Sequence, residues 1–137
     1  VYARTVHSTE GFDFPTDFMK WHPTAHHNNQ RLFELLDEFL NAPDDSTKLM
    51  YVWGHSYEFN SDNNWDLIER FCEKAGNRDD VFYATNIEIY DYIAAYNQLI
   101  FSMDYSRVYN PTCTTVYFKT DKDLYAVGPG ETVQYAF

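Results

Sequence analysis

Basic residues are scarce in this chain. Ten Lys and Arg stand against 21 Asp and Glu, a formal charge of −11, and the densest basic stretch is Lys119-Thr120-Asp121-Lys122. A protein that grips nucleic acid needs a basic face to displace counterions from phosphates. Nucleic acid and anionic membrane surfaces are therefore poor partners. Long apolar runs are missing as well. No stretch approaches the roughly 20 residues of a membrane span, and the start, Val1-Tyr2-Ala3-Arg4-Thr5-Val6, has no basic region before a long apolar one. The expectation is a soluble chain without a signal peptide, its compartment unassigned. Cys72 and Cys113 are too few for a disulfide framework or a zinc ribbon, and both are expected as packed, unlinked thiols. Gly-x-Ser-x-Gly, Gly-x-Gly-x-x-Gly and the P-loop are all absent, which leaves serine-hydrolase and nucleotide readings without support.

What is present is apolar and aromatic. Of 137 residues, 45% are hydrophobic and 19% aromatic, too many for a disordered chain. The length suits one ordinary domain. The chain begins without methionine and directly on a strand-like segment, as a cut through a larger protein or a processed start would.

Val1–Val6 reads as a short, largely buried strand, followed by an irregular stretch from His7 to Asn28. Asn28 or Asn29 can cap a helix to about Ala42, whose Leu32, Leu35, Leu36, Phe39 and Leu40 form one apolar stripe. Lys48–Gly54 reads as a strand covered on both faces. After a polar loop, His55–Asp62, Asn63 opens a helix with Trp65, Ile68, Phe71, Cys72 and Ala75 inward and Gly76 at its end. Val81–Ala84 is the next strand, and Thr85-Asn86-Ile87-Glu88 has the capping-box pattern for a helix to about Gln98.

This alternation predicts an α/β fold with parallel strands and crossover helices. Three strands make a poor complete sheet but a reasonable last portion of a (β/α) barrel. From Leu99 the texture changes to short strands, Leu99–Met103, Thr114–Lys119, Leu124–Val127 and Glu131–Ala136, an antiparallel appendage. Residues 1–98 are thus expected as the barrel portion and 99–137 as a β-rich tail packed on it.

In such barrels the chemistry lies where strands end and βα loops begin. His55 occupies that position, and an imidazole there can shuttle a proton near neutral pH. Glu58, three residues on, can orient the ring or face solvent. A structural histidine bonded to a backbone carbonyl is the plainer reading. Trp21-His22-Pro23-Thr24-Ala25-His26-His27-Asn28 is a second cluster. Pro23 keeps His22 and His26 off a shared helix face, and no Asp or Cys lies at a recognisable ligand spacing. Substrate contact or a plain loop role is therefore preferred to metal ligation. Arg4, inside an apolar strand, is expected to pair with a carboxylate such as Asp13, Glu58 or Glu88.

Tyr2-Ala3-Arg4-Thr5-Val6, Trp21–Asn28, Met50-Tyr51-Val52-Trp53-Gly54-His55-Ser56-Tyr57-Glu58-Phe59 and Tyr83–Tyr92 together resemble the polysaccharide deacetylase family, also called the NodB-homology or carbohydrate esterase family 4 domain. The resemblance spans nearly the whole chain and matches the C-terminal portion of that domain. It implies a distorted (β/α) barrel that removes acetyl groups from N- or O-acetylated sugars. The family holds zinc or another divalent metal with one Asp and two His, uses a second Asp as base, and takes its acid from a late leucine-rich strand motif. That motif resembles Leu49–His55 and gives His55 the acid role. The family's paired aspartates, His-x-x-x-His motif and Arg/Pro/Tyr motif have no counterpart here and would precede Val1, so no metal is expected from this chain alone. Trp21 matches the aromatic groove residue of the fourth motif, with Lys20 where the family has Asp. With His26, His27 and Glu58 it makes up the expected substrate contacts. The implied partner is an acetylated carbohydrate, and a half-barrel is expected to self-associate or to lean on the missing N-terminal part. The other reading is a non-catalytic carbohydrate-binding or assembly module, favoured by the missing base and metal motifs, the aromatic content and the β-rich tail.

Overall fold

A computed structural model describes residues 2–43, 47–121 and 123–135. It has mixed helices and short strands, an α/β composition in the broad sense, and divides into two compact units, residues 1–83 and 84–137.

In the first unit the segment read as irregular carries much of the architecture. Asp17 caps a 3-10 turn at Phe18–Lys20 by accepting from the Met19 N–H at 2.9 Å. Strand β1 follows at Ala25–His26. Helix α1 spans Leu32–Leu40, opened by the Asn29 Oδ1, which accepts from the Arg31 N–H at 2.7 Å. Strand β2, Val52–Trp53, pairs parallel with β1 in the register Ala25↔Val52 and His26↔Trp53. This β1–α1–β2 succession is a parallel crossover, but it starts from a strand at Ala25–His26, inside the stretch expected to be irregular, and not from Val1–Val6. On the other side of β1, Arg4 and Trp21 form a parallel bridge, and the Thr9 and Glu10 N–H groups donate to Pro23 and Thr24. Three chain stretches thus run side by side.

Several expectations change here. The N-terminal segment forms no full strand: it is held by that bridge, by the Ala3 N–H donating to the Phe18 carbonyl at 2.8 Å and by Thr5 Oγ1 on His22, with Arg4 and Val6 exposed. Strand β2 is shorter than Lys48–Gly54 and only half-buried. Residues 81–84 form no strand, and Phe82 is exposed. His55–Asp62 is mostly helix α2, Ser56–Ser61. Helix α3 spans Trp65–Ala75, with Asn64 at the N-cap position and without a side-chain cap bond. It packs Leu67 and Phe71 against Ala25, Leu32 and Leu35, which leaves Trp65 and Cys72 exposed. The apolar stripe is real, but its centre lies nearer Leu67 than Trp65. Cys113 is exposed as well. The positive φ after α3 belongs to Asn77 (55°), and Gly76 is extended.

The second unit begins with helix α4, Asn86–Tyr96. Its capping box is as expected: Thr85 Oγ1 accepts from the Glu88 N–H, and the Glu88 carboxylate accepts from the Thr85 N–H at 2.7 Å. The tail is antiparallel throughout. Strands β3 (Ile100–Phe101), β4 (Arg107–Tyr109) and β7 (Thr132–Gln134) form one sheet, while β5 (Val116–Lys119) and β6 (Leu124–Val127) form another. Strand β4 has no counterpart in the sequence reading, and Ala136 lies outside the described residues. Val108, Val116, Phe118, Val127 and Tyr135 make the core with Ala95 and Leu99 of the α4 region. The Tyr92 hydroxyl accepts from the Tyr117 N–H at 3.0 Å, tying α4 to β5.

One buried polar residue organises this unit. The Asn110 side chain donates from Nδ2 to the Thr114 and Val127 carbonyls, both at 2.8 Å. Its Oδ1 accepts from the Thr112 N–H and hydroxyl at 2.9 and 2.7 Å. A fully paired amide is what burial requires. No helix among the described residues is long and apolar enough to cross a membrane.

Candidate functional site

The parallel register of β1 and β2 sets His26 beside Trp53, so both strands end on the same side. His27 leaves β1 there with its N–H donating to the Trp53 carbonyl at 2.9 Å. His55 leaves β2 there as the N-cap of α2, extended at φ −123° and ψ 135°. Glu58, at the third position of α2, turns its carboxylate back to accept from the His55 N–H at 2.8 Å. This backward reach satisfies a donor that the start of a helix leaves without a partner. It also delivers a carboxylate to the histidines.

Glu58 Oε2 lies 3.2 Å from His55 Nδ1, 3.3 Å from His26 Nε2 and 3.8 Å from His27 Nε2. The His55 N–H bond is the main reason that the Glu58 carboxyl titrates below its ordinary range, with the neighbouring imidazoles adding to it against some desolvation.

The three rings differ sharply in access. The His55 side chain is 49% exposed, that of His26 23% and that of His27 2%, while Glu58 is 24% exposed. His55 stacks on Tyr57 at 5.3 Å. His26 lies edge-on to Trp53 at 4.5 Å and beside His27 at 4.3 Å. His27 is enclosed further by Phe59 at 4.4 Å. Among the described residues neither ring nitrogen of His27 has a hydrogen-bond partner. Desolvation, and then the neighbouring His26, push its pKa below the usual imidazole value, with Glu58 opposing. His27 is therefore held as a neutral imidazole. The Asn28 N–H donates to His26 Nδ1 at 3.2 Å, which in the neutral ring leaves the proton on Nε2, facing Glu58.

Gly54 is part of this arrangement. A Cβ there would stand 1.7 Å from His27 Nδ1 and 2.5 Å from Cε1. The ring occupies the space that any other residue at position 54 would fill, so glycine between Trp53 and His55 is a packing requirement. The clue in the sequence is a glycine at the end of a strand, in front of a polar cluster.

The structure brings together His26, His27, His55 and Glu58 of the expected site residues. Trp21 is set apart: it is buried edge-on among Tyr2, Phe18 and Tyr51 and offers no free stacking face. His27 is equally closed to a bulky ligand. Among the described residues Arg4 forms no carboxylate pair of the kind expected. Its guanidinium lies 4.1 Å from the Trp53 ring centroid and donates to the Thr5 carbonyl, a cation–π contact in place of an ion pair. A cavity of about 490 Å³ is lined by Gly76, Asn77, Arg78, Asp79 and Tyr83 and shares no residue with the histidine cluster.

The chain matches no family model, no curated protein and no solved structure.

Proposed function

We propose that this chain is the C-terminal part of a distorted (β/α) barrel of the polysaccharide deacetylase type, with His55 as the general acid. The observation that carries the reading is His55 itself: a half-exposed imidazole at the end of a parallel strand, anchored through Nδ1 to a carboxylate at 3.2 Å. A ring fixed at one nitrogen leaves Nε2 as the atom for proton transfer. In hydrolysis of an N- or O-acetyl sugar, water adds to the acetyl carbon and the C–N or C–O bond then breaks. His55 delivers its proton to the departing amine or alkoxide, which keeps the leaving group from departing as a strong base. Glu58 positions the ring during that transfer.

The zinc or other divalent metal of this family supplies carbonyl polarisation and activated water when bound. Its Asp/His/His ligand set does not fit the residues present. Among the described residues the one group at ligand spacing is His26, His27 and Glu58, a different set on different segments. Under this reading the family metal would be held by residues outside this chain.

Replacement of His55 by alanine in the complete protein tests the role. The expected result is a loss of about 100-fold or more in deacetylation of acetylated sugar oligomers, with oligomer binding retained. Wild-type turnover in that variant would overturn the assignment. The exposed rings of Tyr57 in α2 and Trp65 at the start of α3 favour the second reading, a carbohydrate-binding module. Under that reading oligomers bind through those rings, and His55→Ala changes nothing measurable.

A further inference from the structure

We propose that His26, His27 and Glu58 form a divalent-metal site of the His-His-carboxylate type, suited to zinc and separate from any metal that the deacetylase reading assigns to other residues. Their ligand atoms all lie within 4.8 Å of one another. In a tetrahedral zinc centre, bond lengths of about 2.0–2.2 Å put neighbouring donor atoms roughly 3.3–3.5 Å apart. His26 Nε2 and Glu58 Oε2 are already at 3.3 Å, and His27 Nε2 is at 3.8 Å from the same oxygen.

Spacing is not the only support. His27 is 2% exposed with no hydrogen-bond partner on either nitrogen among the described residues. A buried imidazole with two idle polar atoms is costly, and Gly54 gives up its side chain to admit that ring. A cation between His27 and Glu58 gives one of those nitrogens a partner. The carboxylate is held for ligation by the His55 N–H at 2.8 Å, the kind of outer contact that orients a metal ligand. The chemistry of two imidazoles and one carboxylate favours zinc over magnesium or calcium, which prefer oxygen-only shells. Three protein ligands leave the fourth position open.

Loading has one structural consequence. Metal at His26 Nε2 takes that nitrogen's lone pair, so the single ring proton of the neutral imidazole shifts from Nε2 to Nδ1. The Asn28 N–H then has to release its 3.2 Å bond to that nitrogen. The change is confined to the turn after β1 and gives a signature that surface adsorption of metal lacks.

The test is calorimetric titration of zinc chloride into the whole metal-free chain, with amide NMR followed alongside. The expected result is one zinc per chain with a Kd of roughly 10 µM or tighter, a shift of the Asn28 amide, and at least ~10-fold weaker binding in each of His26→Ala and Glu58→Gln. Glu58→Gln keeps the side chain's size, which guards against a result due to misfolding alone. His7 and His22 form an exposed ring pair elsewhere, centroids 5.3 Å apart, and His7→Ala should leave binding unchanged. Absence of saturable binding, affinity insensitive to His26→Ala and Glu58→Gln, or loss of the site in His7→Ala would each overturn the proposal. Loss of deacetylation in His55→Ala bears only on the acid role, so the two readings fail separately.

Discussion

Gly54→Ala is the sharpest probe of how the site is built. The added methyl would sit 1.7 Å from His27 Nδ1, so ring or backbone must retreat roughly 1.5–2 Å to reach the ~3.5 Å of ordinary contact. The ring has little room to move, with Phe59 at 4.4 Å on one side and His26 at 4.3 Å on another. Overpacking of this kind costs about 1–3 kcal/mol, and the upper end applies because the clash is with a ring and not with a flexible tip. Gly54 does not have a positive φ, so alanine recovers some 0.4–1 kcal/mol through the unfolded chain. The net expectation is a loss of about 2 kcal/mol. The assay is urea unfolding followed by tryptophan fluorescence. Trp21, Trp53 and Trp65 are the only tryptophans, and all lie in residues 1–83, so the signal reports this unit. With a urea slope of ~1–3 kcal/mol/M the midpoint should drop by about 1 M. In the double variant with His27→Ala the methyl enters vacated space, and the cycle should show at least ~1 kcal/mol of favourable coupling. A Gly54→Ala midpoint within error of wild type, or strict additivity in the cycle, would refute the packing argument.

In the second unit, Asn110→Leu removes four side-chain hydrogen bonds: the Val127 carbonyl and the Thr112 N–H lose their Asn110 partner, and the Thr114 carbonyl keeps only the Thr112 hydroxyl at 3.2 Å among these side-chain contacts. A loss of about 3–5 kcal/mol is expected, from ~1–3 kcal/mol per stranded buried group, read as lost amide-exchange protection across β4–β7; unchanged protection would contradict it. Asp104 accepts from the Ser102 hydroxyl at 2.7 Å and from the Ser106 N–H and hydroxyl at 3.1 and 2.9 Å, which lowers its pKa from 3.8 to about 2. Because the folded value is depressed, its stabilising effect is full above the unfolded pKa and fades as pH falls from there through about 2. Asp104→Asn should flatten that acid limb, and an NMR titration that puts the Asp104 carboxyl near 4 would exclude the mechanism.

How far the sequence disclosed this arrangement depended on whether the signal was local. The capping box at Thr85 and Glu88, the stripe of α1 and strand β6 depend on neighbours within a few residues, and all three were readable. Strand β1 was hidden because two residues between Pro23 and a turn carry no periodicity, and its pairing with β2 lies 27 positions away. Helix α2 was hidden by its polarity. Ser56-Tyr57-Glu58-Phe59-Asn60-Ser61 has one buried side chain, Phe59, too few for an amphipathic pattern. The glutamate three residues after His55 was the available sign, since that spacing suits a backward-reaching cap. The inward turn of Trp21 was hidden for a related reason. In an irregular stretch no alternation says which way a ring points, and this one turned inward.

The same facts bear on why the two proposed chemistries fall to different histidines. All the cluster's rings meet one carboxylate oxygen, yet exposure falls from 49% at His55 to 23% at His26 and 2% at His27. Under the proposed acid role the proton donor must reach its substrate, and His55 is the most exposed of the three rings. A metal ligand gains from exclusion of water, which favours the inner pair. The grading arises from the backbone. β1 ends against α2, so His27 is roofed by Phe59, while His55 sits ahead of α2, at its open end. Glu58 serves both sides because the third residue of a helix points back over its own start. Moving that carboxylate by one position would break the cap, free the His55 ring and strip the inner pair of its anion together. A Glu58→Ala variant should therefore disturb both chemistries, whereas His26→Ala should leave the His55 cap intact.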